Sequence, residues 1–230
     1  MPYAAIGVPI QRTYMKTKKK AAKSSTLLDI PPIEELDQEM IEKFEGLWSN
    51  KEFRSNSLGE RYVTQAYHCL GCSPGESIVD YGCGTGRAAK KFALKGLNVT
   101  ALDIAKNCLD PKIQEDPKDS NKELFVFKQG NIWNFKGMYV GGDYAFVANV
   151  LEHLPEEKIE SALVNIETHT SKAVYLVIAT YPEMRLDKEL HLTVKPEYWW
   201  KQLLINYFPS ASYEVNAGRI HMYWRKNVES

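Results

Sequence analysis

No apolar stretch in this chain is long enough to cross a bilayer. The longest, Ala173 to Ala179, falls far short of the roughly 18 residues required, and no hydrophobic leader follows Met1. The expectation is a soluble, cytoplasmic protein. Cysteine is scarce, limited to Cys69, Cys72, Cys83 and Cys108. A zinc site would need a second pair beside the lone Cys69-x-x-Cys72 or suitably spaced histidines, and the five histidines are scattered. No metal is expected, and the thiols read as reduced and mostly buried. An excess of charge of either sign is missing too, since 29 basic side chains meet 29 acidic ones. That balance hides a partition. Arg12, Lys16, Lys18, Lys19, Lys20 and Lys23 all precede the first acidic residue, Asp29; taking these six from 29 leaves 23 basic against 29 acidic side chains elsewhere.

Residues 1–30 carry Gly, Pro, Ser and Lys without an apolar period, and Pro31-Pro32 closes the segment. They read as a basic, flexible arm, and residues 31–230 as a single domain. Within that domain, 33–70 is read as N-terminal helices, 77–180 as a ligand-binding core and 181–230 as a closing helix and hairpin. Ile33, Leu36, Met40, Ile41, Phe44, Leu47 and Trp48 recur at steps of three and four, the spacing of one helical face. Tyr62 to Leu70 is a second helical run that stops at Gly71. Short β-branched and apolar segments follow at 77–80, 98–102, 124–128, 143–149 and 173–179, separated by helical stretches at 88–95 and 155–168. Such alternation predicts an α/β fold, a doubly wound and mostly parallel sheet with its binding crevice at the carboxyl edge. A helix over 196–206 and an antiparallel hairpin, 211–215 with 219–225, complete the expectation.

The chemistry is concentrated between the first strand and the helix after it, in Val79-Asp80-Tyr81-Gly82-Cys83-Gly84-Thr85-Gly86-Arg87. Glycines there let the backbone approach a ligand while the free amides of the helix start face it. The dinucleotide pattern Gly-x-Gly-x-x-Gly would place its third glycine at 87, where Arg87 stands, which counts against a nicotinamide dehydrogenase. Seventeen residues beyond Gly86, Asp103 ends the second strand, where a carboxylate can accept the hydroxyls of a ribose.

Together with Ala101-Leu102-Asp103-Ile104, Gly130-Asn131-Ile132 and Asn149-Val150-Leu151-Glu152-His153-Leu154, that loop resembles the class I S-adenosylmethionine-dependent methyltransferase superfamily over roughly residues 58 to 226. The resemblance implies a seven-stranded sheet ending in an antiparallel hairpin, and S-adenosylmethionine as cofactor. By position it sets Asp80, Gly82, Cys83, Gly84 and Gly86 against the methionine and ribose, and Asp103 against the ribose hydroxyls. Ile104 and Ile132 would sandwich the adenine, with Asn131 beside its amino group. Many members carry aspartate there, and the asparagine oxygen can still accept from the amine. Asn149 and Val150 would bound the methionine amino group and the transferable methyl. Some small-molecule members place an arginine about twenty residues before the first glycine, against the cofactor carboxylate; Arg61 stands 21 before it.

The acceptor side is written less clearly. His153 is the side chain suited to take a proton near neutral pH, although the Glu-His pair is often structural in the superfamily. Tyr181, Arg185 and His191 fall where the acceptor wall usually forms. Trp199 and Trp200 either join that wall or pack the last helix on the sheet. The place after strand four lacks the Pro-Pro-aromatic signature of DNA amino methylation, there is no Pro-Cys dipeptide for cytosine-C5 chemistry, and the carboxylate set of the metal-assisted catechol type is missing. Methylation of an oxygen, nitrogen or carbon of a small molecule is therefore expected. RNA or protein docked through the basic arm is the alternative, and a cofactor-binding scaffold without catalysis is the rival from another class.

Overall fold

Alternate residues of the central strands face opposite layers of the molecule, and each layer recruits its own helices. The computed structural model describes residues 35–55, 57–114, 124–135 and 138–227; the basic arm expected over 1–30 lies outside them. The strands are Ser77–Tyr81 (β1), Asn98–Asp103 (β2), Phe125–Gln129 (β3), Gly142–Ala148 (β4), Thr170–Ala179 (β5), the two-residue Met184–Arg185 (β6) and Lys188–Glu189 (β7), Ser212–Asn216 (β8) and Arg219–Arg225 (β9). The helices are Glu35–Trp48 (α1), Lys51–Ser55 (α2), Val63–Leu70 (α3), Arg87–Leu94 (α4), Pro111–Gln114 (α5), Glu156–Thr168 (α6) and Glu197–Leu204 (α7).

Seven strands form one sheet in the order β3-β2-β1-β4-β5-β9-β8. β1 to β5 are mutually parallel, while β9 runs antiparallel between β5 and β8. This is the expected doubly wound sheet with its terminal hairpin. On one face Val79, Tyr81, Ala145, Val147, Val174 and Leu176 pack with α6 and α7. On the other, Ile78, Tyr144, Phe146, Tyr175 and Val177 pack with α3 and α4. Because side chains alternate along a strand, β1, β4 and β5 supply both layers at once, which is why they read as near-continuous apolar runs.

The helices obey their local signals. Gly71 caps α3 in the left-handed conformation at φ 68°, closing the chain back onto the Tyr67 and His68 carbonyls. Pro155 precedes α6, Glu156 and Glu157 occupy its first turn, and Ile159, Ala162, Leu163 and Ile166 are buried. Full burial of each branched side chain contributes roughly 1.5–3 kcal/mol, so packing rather than helix propensity holds α6 in place. Beyond expectation are α2, the 3-10 turns at 58–62 and 151–153, and the β6-β7 ribbon, all too short to show a period. Among the described residues no helix is long and apolar enough to cross a membrane.

Candidate active site

The chain runs outward from β1 to β2 and β3, then returns to place β4 on the other side of β1. Two adjacent strands whose connections leave in opposite directions open a crevice at their carboxyl ends. A cavity of about 260 Å³ lies there. Its base is the glycine loop, its sides are the ends of β2, β3 and β4, and Met40, Phe44 and Trp48 of α1 form a roof.

The loop is shaped by steric necessity. Gly82 has φ 67°, and a Cβ on it would meet Val150 Cγ2 at 2.5 Å. At Gly84, φ 50°, a Cβ would run into the Trp48 indole at 2.9 Å. Asp103, 6% exposed, accepts the Gly84 N–H on Oδ2 at 2.9 Å and the Ala105 N–H on Oδ1 at 3.0 Å. Burial pushes its carboxyl up to about 6 even though these amides favour the charge. Asp80 is pushed up to about 8, by burial first and by the neighbouring Asp103 charge second. Asp80 Oδ2, Asn131 Oδ1 and Asn149 Oδ1 are buried without a hydrogen-bond partner among the described residues, and all three residues line the cavity. Ile104 and Ile132 line it beside Asn131, and Cys83 beside the loop. Asn149 adopts a left-handed backbone, φ 57°, a conformation that asparagine tolerates better than most side chains.

Bonded to Asn149 of the lining but not itself part of it, Glu152 is fully buried; its Oε1 accepts from Asn149 Nδ2 and from the Ala179 N–H, both at 3.0 Å. Burial pushes this carboxyl up. His153 Nδ1 lies 3.0 Å from the Leu190 carbonyl, and a carbonyl only accepts, so the proton sits on Nδ1 and the lone pair on Nε2. Burial pushes this imidazole down to about 4. Its ring stands 5.0 Å from that of His191. His191, 2% exposed, faces the Tyr181 carbonyl with Nδ1 at 2.5 Å and Glu183 Oε2 with Nε2 at 3.3 Å. Glu183 also pairs with Arg185, whose side chain reaches the cavity from an exposed position.

Three expected site residues are placed elsewhere. Gly86 is not part of the cavity lining; a Cβ on it would meet Leu109 Cδ2 at 2.7 Å. Arg61 is exposed at the outer end of the 58–62 turn, its guanidinium over the Tyr62 ring, and lines a separate cleft with Gln65, Glu214, Arg219 and His221. Leu58 and Gly59 of that turn occupy the cavity side instead, so a count of 21 residues did not fix where the arginine lands. Tyr181 stands behind His191 rather than in the cavity wall. Its ring packs over Gly218 and its hydroxyl bonds to the Arg219 guanidinium, because Thr180 is tied to the Gly218 carbonyl at 2.9 Å just before it. Trp200 is fully buried in the core under α7, and neither it nor Trp199 lines the cavity. Sequence reasoning missed the roof and also Leu190 and Asp37. For the roof a signal existed: Asp37, Met40, Phe44 and Trp48 share one helical face, and an acid amid apolar residues there asks for partners.

The sequence matches a family model described as a methyltransferase domain over residues 52–228. No curated protein gives a significant match. Solved structures share the fold. The 1,6-didemethyltoxoflavin-N1-methyltransferase of Burkholderia thailandensis, with 1,6-didemethyltoxoflavin and S-adenosylhomocysteine bound, is 18% identical at a TM-score of 0.62, over 87% of this chain and 93% of that one. Magnesium protoporphyrin IX methyltransferase of Synechocystis PCC 6803, with S-adenosylhomocysteine bound, is 16% identical at 0.60, over 83% and 98%. A DhpI complex with S-adenosylhomocysteine is 15% identical at 0.59, over 85% and 98%. With the family model covering most of its length, the chain belongs to the methyltransferase-domain family.

Proposed function

We propose that this methyltransferase uses S-adenosylmethionine and methylates an oxygen, nitrogen or carbon of a small-molecule acceptor. One observation carries the reading: three buried oxygens without partners among the described residues, on Asp80, Asn131 and Asn149, belong to residues that line a cavity where Gly82 and Gly84 leave no room for side chains. That donor set fits a nucleoside with a cationic amino-acid tail. Asp80 and Asn149 accept from the tail's ammonium, Gly82, Cys83 and Gly84 give the backbone close approach, and Val150 abuts the loop at the methyl end. Asp103 accepts from the ribose hydroxyls, Ile104 and Ile132 flank the adenine, and Asn131 Oδ1 accepts from its amino group. Once bound, the cofactor supplies an electrophilic methyl on a sulfonium.

The protein's task is then alignment and removal of a proton. His153, neutral over most of the pH range because burial holds it near 4, offers Nε2 to the acceptor's hydroxyl or amine and takes the proton there. Arg185 and His191 border the acceptor space, held by Glu183. Small-molecule acceptors are also what the toxoflavin and protoporphyrin enzymes are named for. The RNA or protein alternative leans on the basic arm, and no described residue favours it.

Calorimetric titration with S-adenosylmethionine, S-adenosylhomocysteine and NAD, followed by transfer of labelled methyl to small-molecule, RNA and protein pools, tests the proposal. Micromolar binding of the first two ligands and label in the small-molecule pool are expected. Heat with NAD alone overturns the cofactor, label in RNA or protein overturns the acceptor class, and binding without any transfer returns the chain to a scaffold role.

A further inference from the structure

Asp37 lies on the face of α1 that carries Met40, Phe44 and Trp48 into the roof, and it is only 7% exposed. Its two oxygens are engaged separately. Oδ1 accepts the Trp133 indole N–H at 2.9 Å, and Oδ2 accepts from Asn131 Nδ2 at 2.8 Å. A carboxylate can only accept, so the amide nitrogen of Asn131 is held against α1. Its Oδ1 is thereby turned away from α1, buried and without a partner among the described residues, on a residue that lines the cavity. A free asparagine could present either end, since oxygen and nitrogen are nearly isosteric.

We infer that Asp37 is a positioning residue: by fixing the amide of Asn131 it makes the pocket select a 6-amino purine over a 6-oxo purine. The inference rests on the placement of adenine beside Asn131 proposed above. An exocyclic amine donates to Oδ1, whereas a 6-oxo group sets two acceptors against each other, and a buried group left unpaired is what discriminates strongly. Trp133 makes the outcome of a single substitution definite. In Asp37→Asn the indole N–H retains the oxygen of the new amide, so the new nitrogen faces Asn131. Asn131 must then reverse and show its own N–H to the ring.

The test is calorimetric binding of S-adenosylhomocysteine and its 6-oxo counterpart, S-inosylhomocysteine, to the full chain, with thermal melts to verify folding. The natural sequence should favour the amino ligand by about tenfold or more. In Asp37→Asn the preference should vanish or invert. In the double variant Asp37→Asn with Asn131→Asp it should return, because the new amide donates to the new carboxylate and frees that carboxylate's other oxygen for the amine. Equal weakening of both ligands in Asp37→Asn, with the ratio unchanged, would reduce Asp37 to a structural contact and overturn the inference. If the single variant fails to fold, the double variant decides, and loss of the amino preference there overturns it. Equal binding of both ligands by the natural sequence would instead remove adenine from Asn131, and no binding of either would remove the cofactor reading itself.

Discussion

The two walls of the cavity are built by different means. On the side proposed for the cofactor, backbone does most of the work: positive φ at Gly82 and Gly84, amides bonded to Asp103, and residues delivered by the ends of β1, β2 and β3. On the side proposed for the acceptor, side chains from separate segments are stitched together, as His153 to the Leu190 carbonyl and His191 to Tyr181 and Glu183. A backbone-built wall tolerates little change and holds one ligand. A wall of side chains on short turns and the β6-β7 ribbon can be rewritten residue by residue, which suits the part that chooses the acceptor.

Substitutions on the two sides should therefore fail differently. Asp103→Ala removes a charged acceptor for the ribose and frees two amides of the loop region; at roughly 1.5–3 kcal/mol per hydrogen bond to a charged group, S-adenosylmethionine affinity should fall about 10²- to 10³-fold by calorimetry. An unchanged affinity would break the contrast. His153→Asn should lower kcat about 100-fold, a typical loss for a general base, with cofactor affinity intact. Loss of affinity instead would move His153 to the cofactor side.

A smaller effect comes from pH. Asp80, at about 8, and Asp103, at about 6, are raised in the free protein, and a bound cation favours their ionised forms. Cofactor affinity should tighten as pH rises from 6 through 8, by at most about tenfold per unit for each proton released, and proton release should register in buffers of different ionisation heat. Stability of the ligand-free fold should move oppositely. Folded-state values above the unfolded ones stabilise at low pH, and that contribution is lost as pH climbs through 6 and 8. His153, lowered to about 4, works in the other direction below its ordinary value, so the difference between the natural sequence and Asp80→Asn in denaturant melts at pH 7 and 8.5 isolates Asp80 from the other raised groups such as Glu152. Smallest of all is Arg61→Ala, which should change cofactor affinity less than twofold, since the side chain is exposed and outside the cavity.

The same contrast explains what could be read in advance. The glycine loop and Asp103 sit at strand ends fixed by a local pattern, so their convergence was legible from spacing, whereas Asn131 came only with the family resemblance. Arg61 and Tyr181 were misplaced because their positions depend on tertiary ties that no period encodes: the 58–62 turn in one case, the bond from Thr180 to Gly218 in the other. Asp37 escaped notice because its partners, Asn131 and Trp133, are remote in the chain.

The order of synthesis gives the antiparallel β9 a meaning of its own. β5 pairs with it from Ala173 to Ala179, so a nascent chain that has not yet delivered Arg219 to Arg225 presents β5 as a bare, apolar edge, the kind of ladder that recruits other chains. All the glycines of the cofactor loop have been made long before that. A product interrupted between β5 and β9 would keep the whole nucleoside motif yet behave as a seed for aggregation, so translation must pass residue 225 before the chain is safe from its neighbours.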